Sequence, residues 1–524
     1  MLPPKTNRPH GGVRGANLSR SSVSFGGPFG RIFRAVPPAD FGSDDATSLK
    51  NLDALAAAMT SVADPQDPKD GPDSEESGIP AAYTYFGQFI DHDLTFDPAS
   101  SLQKQNDPDA LVDFRTPQFD LDNVYGRGPD DQPYIYNADS RTFVLGTELT
   151  GAPKLARDLQ RNSQDPARAL IGDPRNDENV IVSQLQGLWH RFHNRIAADH
   201  PSWSFQRVQQ EVRFHYQWIL LHDFLPTVIA EEVLDGVLPA DDSGKLIVDK
   251  ANLKFFHYRD SAFMPLEFSA AAYRFGHSMV RPGYRLNDGV RPVPIFKLGD
   301  TAVDLRGFKA PKPNWALDWR RFIDLVPLDY GTLVDNPDQN DPKNQNRLQL
   351  AYKIDTSLVN PLGVLPKSVA VNPNVLAQRN LERGWRMRLP TGQDIARAMG
   401  LVPLTDDRII IGKFTGNKAD IVSPIDKVGD GTSFVGNCPL WTYVLAETVE
   451  SDVIVKTLEG NKSITTRKLG PVGGRIVAET FVGLLLADSS SYVSLNPLWE
   501  PTDLTVNGVF GLRELIQRAL ELNV

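Results

Sequence analysis

Between Phe86 and Pro98 the chain reads Phe-Gly-Gln-Phe-Ile-Asp-His-Asp-Leu-Thr-Phe-Asp-Pro. An amide (Gln88), two carboxylates (Asp91, Asp93) and an imidazole (His92) therefore fall together in an otherwise apolar segment. At about 100° per residue a helix puts Gln88, Asp91 and His92 on one face and turns Asp93 away. Polar groups in an apolar helix are costly unless they have partners, so the cluster predicts a site. An imidazole there has a pKa suited to taking and returning a proton near neutral pH.

Four further stretches carry chemistry. Tyr273-Arg274-Phe275-Gly276-His277-Ser278-Met279-Val280-Arg281-Pro282 sets a histidine beside a glycine. Gly172-Asp173-Pro174-Arg175-Asn176-Asp177-Glu178 places Arg175 and Glu178 three apart, on one face of a helical turn. Asn380 sits in Leu376-Ala-Gln-Arg-Asn-Leu-Glu-Arg-Gly. Arg115-Thr116-Pro117-Gln118-Phe119-Asp120-Leu121-Asp122 alternates oxygen donors, and with Asp93 it offers the all-oxygen set that a hard cation such as calcium takes. Each has a plainer reading on its own: a core histidine, an ion pair at a helix start, a turn asparagine, an acidic surface turn.

Taken along the chain, the Gln88–Asp93 stretch, the Thr116–Asp122 loop, Arg175/Glu178, Gly276-His277 and then Asn380 resemble the animal-type haem peroxidase superfamily, the myeloperoxidase and lactoperoxidase relatives. The resemblance spans roughly residues 80 to 400 and, more loosely, 30 to 520. It implies a disulfide-free microbial member with haem b and Ca²⁺. His92, Arg175 and Gln88 match the distal catalytic residues. His277 matches the proximal iron ligand, with Asn380 fixing its ring and Arg274 beside it on the haem. Asp91 and Glu178 match the two haem ester positions. Asp93, Thr116, Gln118, Asp120 and Asp122 match the calcium ligands. The implied partners are hydrogen peroxide and a small electron donor: halide, thiocyanate or an aromatic compound. Asn179 stands where myeloperoxidase has a methionine, so a sulfonium link is not expected. Arg386-Met387-Arg388 also departs from the family's usual Asp-His-Gly. Two other functions remain open. One is a fatty-acid dioxygenase, which needs a tyrosine three residues before the proximal histidine, where Arg274 stands and Tyr273 is one position off. The other is a non-enzymatic haem-binding adhesion protein.

The elements that must hold these residues read as mainly α, one large helical domain with few short strands and long loops. Ile181, Leu185, Leu188, Trp189, Phe192 and Ile196 repeat at helical spacing and predict a helix over 180–200. A second is predicted over 205–229, with Pro226 near its end, and others over 267–280 and 392–399. Strands are expected at 408–411 and 452–455. His190 and His193 are three apart, a spacing that also suits a metal, although a role on the helix surface or behind the site residues is simpler. Residues 1–39 contain no Asp or Glu and predict an extended arm preceding a domain over 40–524. The stretch from Ala63 to Pro80 reads as a turn-rich loop.

Of the 524 residues, 41% are hydrophobic and 23% charged, ordinary for a globular chain with a substantial core. The net charge of -10 gives no support to nucleic-acid binding. With one cysteine, Cys438, no intrachain disulfide can form. No apolar run suits a signal peptide or a membrane span, so the expected location is the cytoplasm, or outside it by a route without a cleaved signal. The sequence leaves the oligomeric state open.

Overall fold

The computed structural model describes residues 27–521 apart from 61–67, 96–111, 114, 241–245, 259–261, 299–302, 333, 336, 414–419, 502–503 and 506–507. Helices build most of the core. Strands among the described residues form one three-stranded sheet and five two-stranded pairs. The arm expected over 1–39 and the loop expected over 63–80 are only partly described, as are the last residues of the Phe86–Pro98 stretch.

Two helices carry the centre. Val180–Asp199 begins where the Asn179 side chain accepts from the Ile181 N–H, a standard way to satisfy a free amide at a helix start. Its predicted apolar stripe is buried throughout. Ala82–Leu94 crosses it, and the Phe89 ring stacks on Trp189 at 5.4 Å between centroids. That stacking fixes the face of Ala82–Leu94 that turns toward the core. Asp91 thereby falls on the far side of the helix from Phe89, with Gln88 and His92 on its flank.

The predicted helix over 205–229 is one run with a defect. Phe205–Ile219 is α-helical, Leu220–Phe224 widens to a π turn, and Leu225–Val228 resumes the α-helix. Proline has no N–H to donate and its ring crowds the preceding turn, so the wider turn carries the chain past Pro226.

The helix predicted over 267–280 is not one helix. Leu266–Ser269 is a single α turn, and Ala272–His277 is a 3-10 helix. Ala271 breaks the run with φ -139° and ψ -76°. The tighter winding, three residues per turn, eclipses Arg274 and His277, so both reach Asn380. The remaining elements fall close to expectation. Gly392–Ala398 is helical, Ile410–Gly412 is a strand after a 3-10 turn at Asp406–Arg408, and 452–455 lies inside the hairpin Val449–Thr457/Gly460–Lys468.

The described part of the N-terminal segment is tied to the region around His277. Gly27–Gly30 pairs with Val112–Asp113 and with Met264–Pro265. The buried Glu267 carboxylate accepts from the Ile32 and Phe33 N–H groups at 3.0 and 2.9 Å.

His190 and His193 are not a metal pair. Both are buried in Val180–Asp199. His193 meets the Tyr125 hydroxyl at 3.0 Å and the Arg141 carbonyl at 2.8 Å, which occupies both ring nitrogens. Burial pushes His190 down to about 3, and His193 and His215 to about 4, from the usual 6.5. All three are therefore neutral in the fold, whereas the unfolded chain binds their protons below about pH 6.5. Their contribution is intact above that pH and is lost as pH falls toward 4, by about 1.4 kcal/mol per pH unit for each ring. Thermal unfolding followed from pH 7 to 4 should show this loss. His215→Phe, which keeps the ring against Phe510 and Trp499, should flatten it. An unchanged slope in that variant would rule the account out.

Candidate active site

A cavity of about 660 Å³ lies between Ala82–Leu94 and the 3-10 helix Ala272–His277. It is of the size that takes a cofactor with room for a substrate. Gln88, Asp91, His92, Glu178, Arg274 and His277 all line it. Residues nearly 190 positions apart in the chain thus share one wall system.

On one side, His92 is held in a defined tautomer. Asn176 Oδ1 lies 2.6 Å from His92 Nδ1. The Asn176 amide cannot turn over freely, because its Nδ2 donates to Gln186 Oε1 at 2.9 Å. Gln186 Nε2 in turn faces His190 Nε2 at 3.0 Å. Each amide orients the one before it, so the proton sits on His92 Nδ1 and the lone pair on Nε2. Nε2 lies 3.4 Å from Glu178 Oε1, an oxygen that accepts from Gln88 Nε2. Although burial alone would raise it, the Glu178 carboxyl is held below its usual range by His92, Arg175 and Gln88.

Asn176 and Gln186 were not among the candidates read from the sequence. Asn176 stands inside the Gly172–Glu178 stretch, one residue after Arg175, which was the available signal. Gln186 gave none beyond being a polar residue on a buried helix. If His92 acts as a base, replacing Asn176 with alanine should lower kcat/KM by about 10–100-fold and displace its pH profile, with the fold unchanged. Steady-state rates across pH test this, and a wild-type profile would exclude the positioning role.

Arg175 is behind this wall, not on it. Its guanidinium donates to Asp173 Oδ2 at 2.8 Å and to the His92 carbonyl at 3.0 Å. Burial opposes both charges, yet Arg175 and Arg115 hold Asp173 far below the usual carboxylate range, and Asp173 holds Arg175 cationic. Arg175 therefore braces the His92 backbone and acts on the cavity through its charge.

On the other side, His277 is neutral: burial, then the Arg274 charge, pushes it down to about 3. Asn380 adjoins it as expected, but the amide faces the other way. Its Nδ2 is 2.7 Å from His277 Nδ1, because Arg274 Nη1 donates to Asn380 Oδ1 at 3.2 Å. In this arrangement the imidazole proton is on Nε2; turning the amide over moves it to Nδ1 and frees Nε2. Gly276 lines the cavity, and a Cβ there would meet no protein atom within 4 Å. Its bareness opens space toward the cavity and does not serve packing against protein.

A second centre lies at the end of Ala82–Leu94. Carboxylate oxygens of Asp93, Asp120 and Asp122 lie within 4.8 Å of one another. Leu121, between the latter two, takes a left-handed φ of 56° that turns both inward. Thr116 Oγ1 donates to Asp120 Oδ2 at 2.9 Å, and the Gln118 N–H bonds the Thr116 carbonyl at 2.8 Å. Asp122 also pairs with the buried Arg115. Asp93 is fully buried, with Oδ1 lacking a hydrogen-bond partner. Burial, then the Asp120 charge, pushes it up to about 8. Three carboxylates around an orphaned oxygen fit a cation. Gly172 brings the two centres together: a Cβ there would meet the Asp122 and Asn123 carbonyls at 2.5 and 2.6 Å.

Comparisons with known proteins bear on the fold and on part of the sequence. The family model described as animal haem peroxidase matches residues 101–306. The mouse peroxidasin homolog is 28% identical over 211 residues, 36% of this chain and 13% of that protein's own length. Peroxidase A from Dictyostelium discoideum shares the fold at a TM-score of 0.56 and 15% identity, over 97% of this chain and 96% of that one. A fatty acid alpha-dioxygenase from Arabidopsis thaliana shares it at 0.52 and 15% identity, over 95% and 76%. The fold is the mainly α fold of haem peroxidases. Residues 101–306 are thus similar in sequence to the animal haem peroxidase family, and the chain covers only a small part of the length of the peroxidasin relatives it matches.

Proposed function

We propose that this protein is a haem peroxidase that reduces hydrogen peroxide and oxidises halide, thiocyanate or small aromatic donors. The observation that carries the reading is the opposition, across one cavity, of a histidine with its lone pair on Nε2 and a neutral histidine beside an asparagine. The residues fit haem. His277 is the neutral imidazole that suits an axial ligand, and Asp91 and Glu178, which line the cavity, are the carboxylates that would form esters with it. Haem bound there supplies the two-electron chemistry on peroxide. His92 takes a proton from the peroxide at Nε2 and returns it to the departing oxygen as water forms. Asn176 keeps Nδ1 protonated throughout, so the exchange stays at Nε2. Arg175 adds a fixed positive charge, and Gln88 ties Glu178 in place.

A second reading, a fatty-acid dioxygenase, is supported by Tyr273. It lines the same cavity, and its hydroxyl donates to the Gly87 carbonyl at 3.3 Å. Oxygen uptake on adding an unsaturated fatty acid would separate the two.

The test is an absorption spectrum of purified protein, then acid–butanone extraction, then peroxide addition. A Soret band that stays with the protein and shifts with peroxide is the expected result. Haem that extracts freely removes the esters and keeps the peroxidase. Failure to take up haem after reconstitution would overturn the reading.

A further inference from the structure

We infer that the mouth of the cavity recognises small aromatic carboxylates as its electron donors. This rests on the peroxidase reading and narrows the donor class within it. The wall beyond Glu178 carries Arg168, Arg306, Phe308 and Lys309. Among the described residues neither Arg168 nor Lys309 forms an ion pair, and both are exposed. Arg306 is neutralised by Asp304 at 2.8 Å and is tied to Ser368. Two uncompensated cations therefore face the entrance of a chain whose net charge is -10.

Beside Arg168 on the same wall stands an aromatic surface that is held in place. Phe308 is 37% exposed and lines the cavity, and the Arg168 guanidinium lies 5.1 Å from its ring centroid. Its backbone takes φ 55°, a left-handed conformation that costs a bulky side chain energy. Two bonds hold it there: the Gly307 N–H to the Glu178 carbonyl at 2.9 Å, and the Phe308 N–H to the Asp177 carbonyl at 2.5 Å. The platform is thus fastened to the residue that touches His92.

A flat ring on a wall that also carries two cations matches a ligand with an aromatic body and a carboxylate. The apolar ring packs on Phe308, and the carboxylate meets Arg168 and Lys309. The reaction balances without another reagent. Two donor molecules each lose one electron and one proton as the phenolic O–H bond breaks. Peroxide accepts both pairs, its O–O bond breaks, and two waters leave.

The test uses the full-length haem-loaded protein and two phenols, para-hydroxyphenylacetate and the uncharged para-cresol. Binding of the redox-inert benzoate, against benzyl alcohol, is measured by calorimetry in parallel. The expected result is a lower KM for the carboxylate by about tenfold at low ionic strength, shrinking with salt. The double variant Arg168→Glu, Lys309→Glu should abolish or invert the ratio of the two KM values and weaken benzoate binding by a similar factor. Equal KM values for the two phenols, unmoved by the variant, would overturn the entrance assignment and leave the peroxidase intact. Salt-sensitive benzoate binding with no peroxide-driven turnover of either phenol would support the entrance and sink the peroxidase reading.

Discussion

Replacing His92 with alanine should lower peroxide turnover by about 10²–10⁴-fold, the usual contribution of a positioned acid–base group. No other described residue replaces it. Gln88 carries no titratable group, and Arg175 is tied to Asp173 and to the His92 carbonyl. Glu178 reaches the same space, but its carboxyl is held below the usual range and is a weak base. Haem uptake should survive, because His277 is carried on Ala272–His277, a separate element. Stopped-flow mixing with peroxide, on protein matched for Soret absorbance, is the measurement. A rate within a few-fold of wild type would remove His92 from the mechanism and with it the tautomer argument built on Asn176.

Removing divalent cations should destabilise the protein and, with it, the end of the helix that carries His92. Without a cation the buried Asp93 carboxyl sits at about 8, above its usual 3.8. The sign follows from linkage. The folded state then holds a proton that the unfolded state has released, so this contribution is present below about pH 4 and is lost as pH rises toward 8. A bound Ca²⁺ keeps Asp93 ionised and removes that loss, releasing the proton on binding. At a hundredfold excess over Kd the gain is about 2.7 kcal/mol, enough to move Tm by several degrees. Melting curves at pH 5 and pH 8, with calcium and with chelator, should diverge more at the higher pH. Asp93→Asn should abolish both the divergence and the calcium response. Identical melting curves with and without calcium would show that the three carboxylates hold no cation.

These two experiments concern residues that are adjacent in the chain, His92 and Asp93, and point to different centres. That much was legible in the sequence. Helical geometry alone turns Asp93 away from the Gln88–Asp91–His92 face, and the apolar stripe of 181–196 announced the helix that packs against it. Local periodicity is visible because a helix's own residues create it. The proximal segment was harder. The sequence predicts one helix over 267–280, whereas in the fold the Trp441 indole N–H donates to the Arg274 carbonyl at 3.2 Å and the segment winds more tightly, which sets Arg274 and His277 over Asn380.

What the sequence by itself determined is which polar side chains gather in each segment and the long helices over 180–200 and 205–229: types and spacing of residues within one segment are enough for that, while the roles of those side chains came from the family resemblance. What only the tertiary structure decided is the orientation of each group. Which way the Asn380 amide faces depends on Arg274, 106 residues away. Which nitrogen of His92 holds the proton depends on Asn176, Gln186 and His190. Where the Arg175 charge rests depends on a carboxylate it shares with Arg115. Hydrogen bonds are short-ranged and directional, so their partners are set by the packing of distant segments, and no pattern within a segment encodes them.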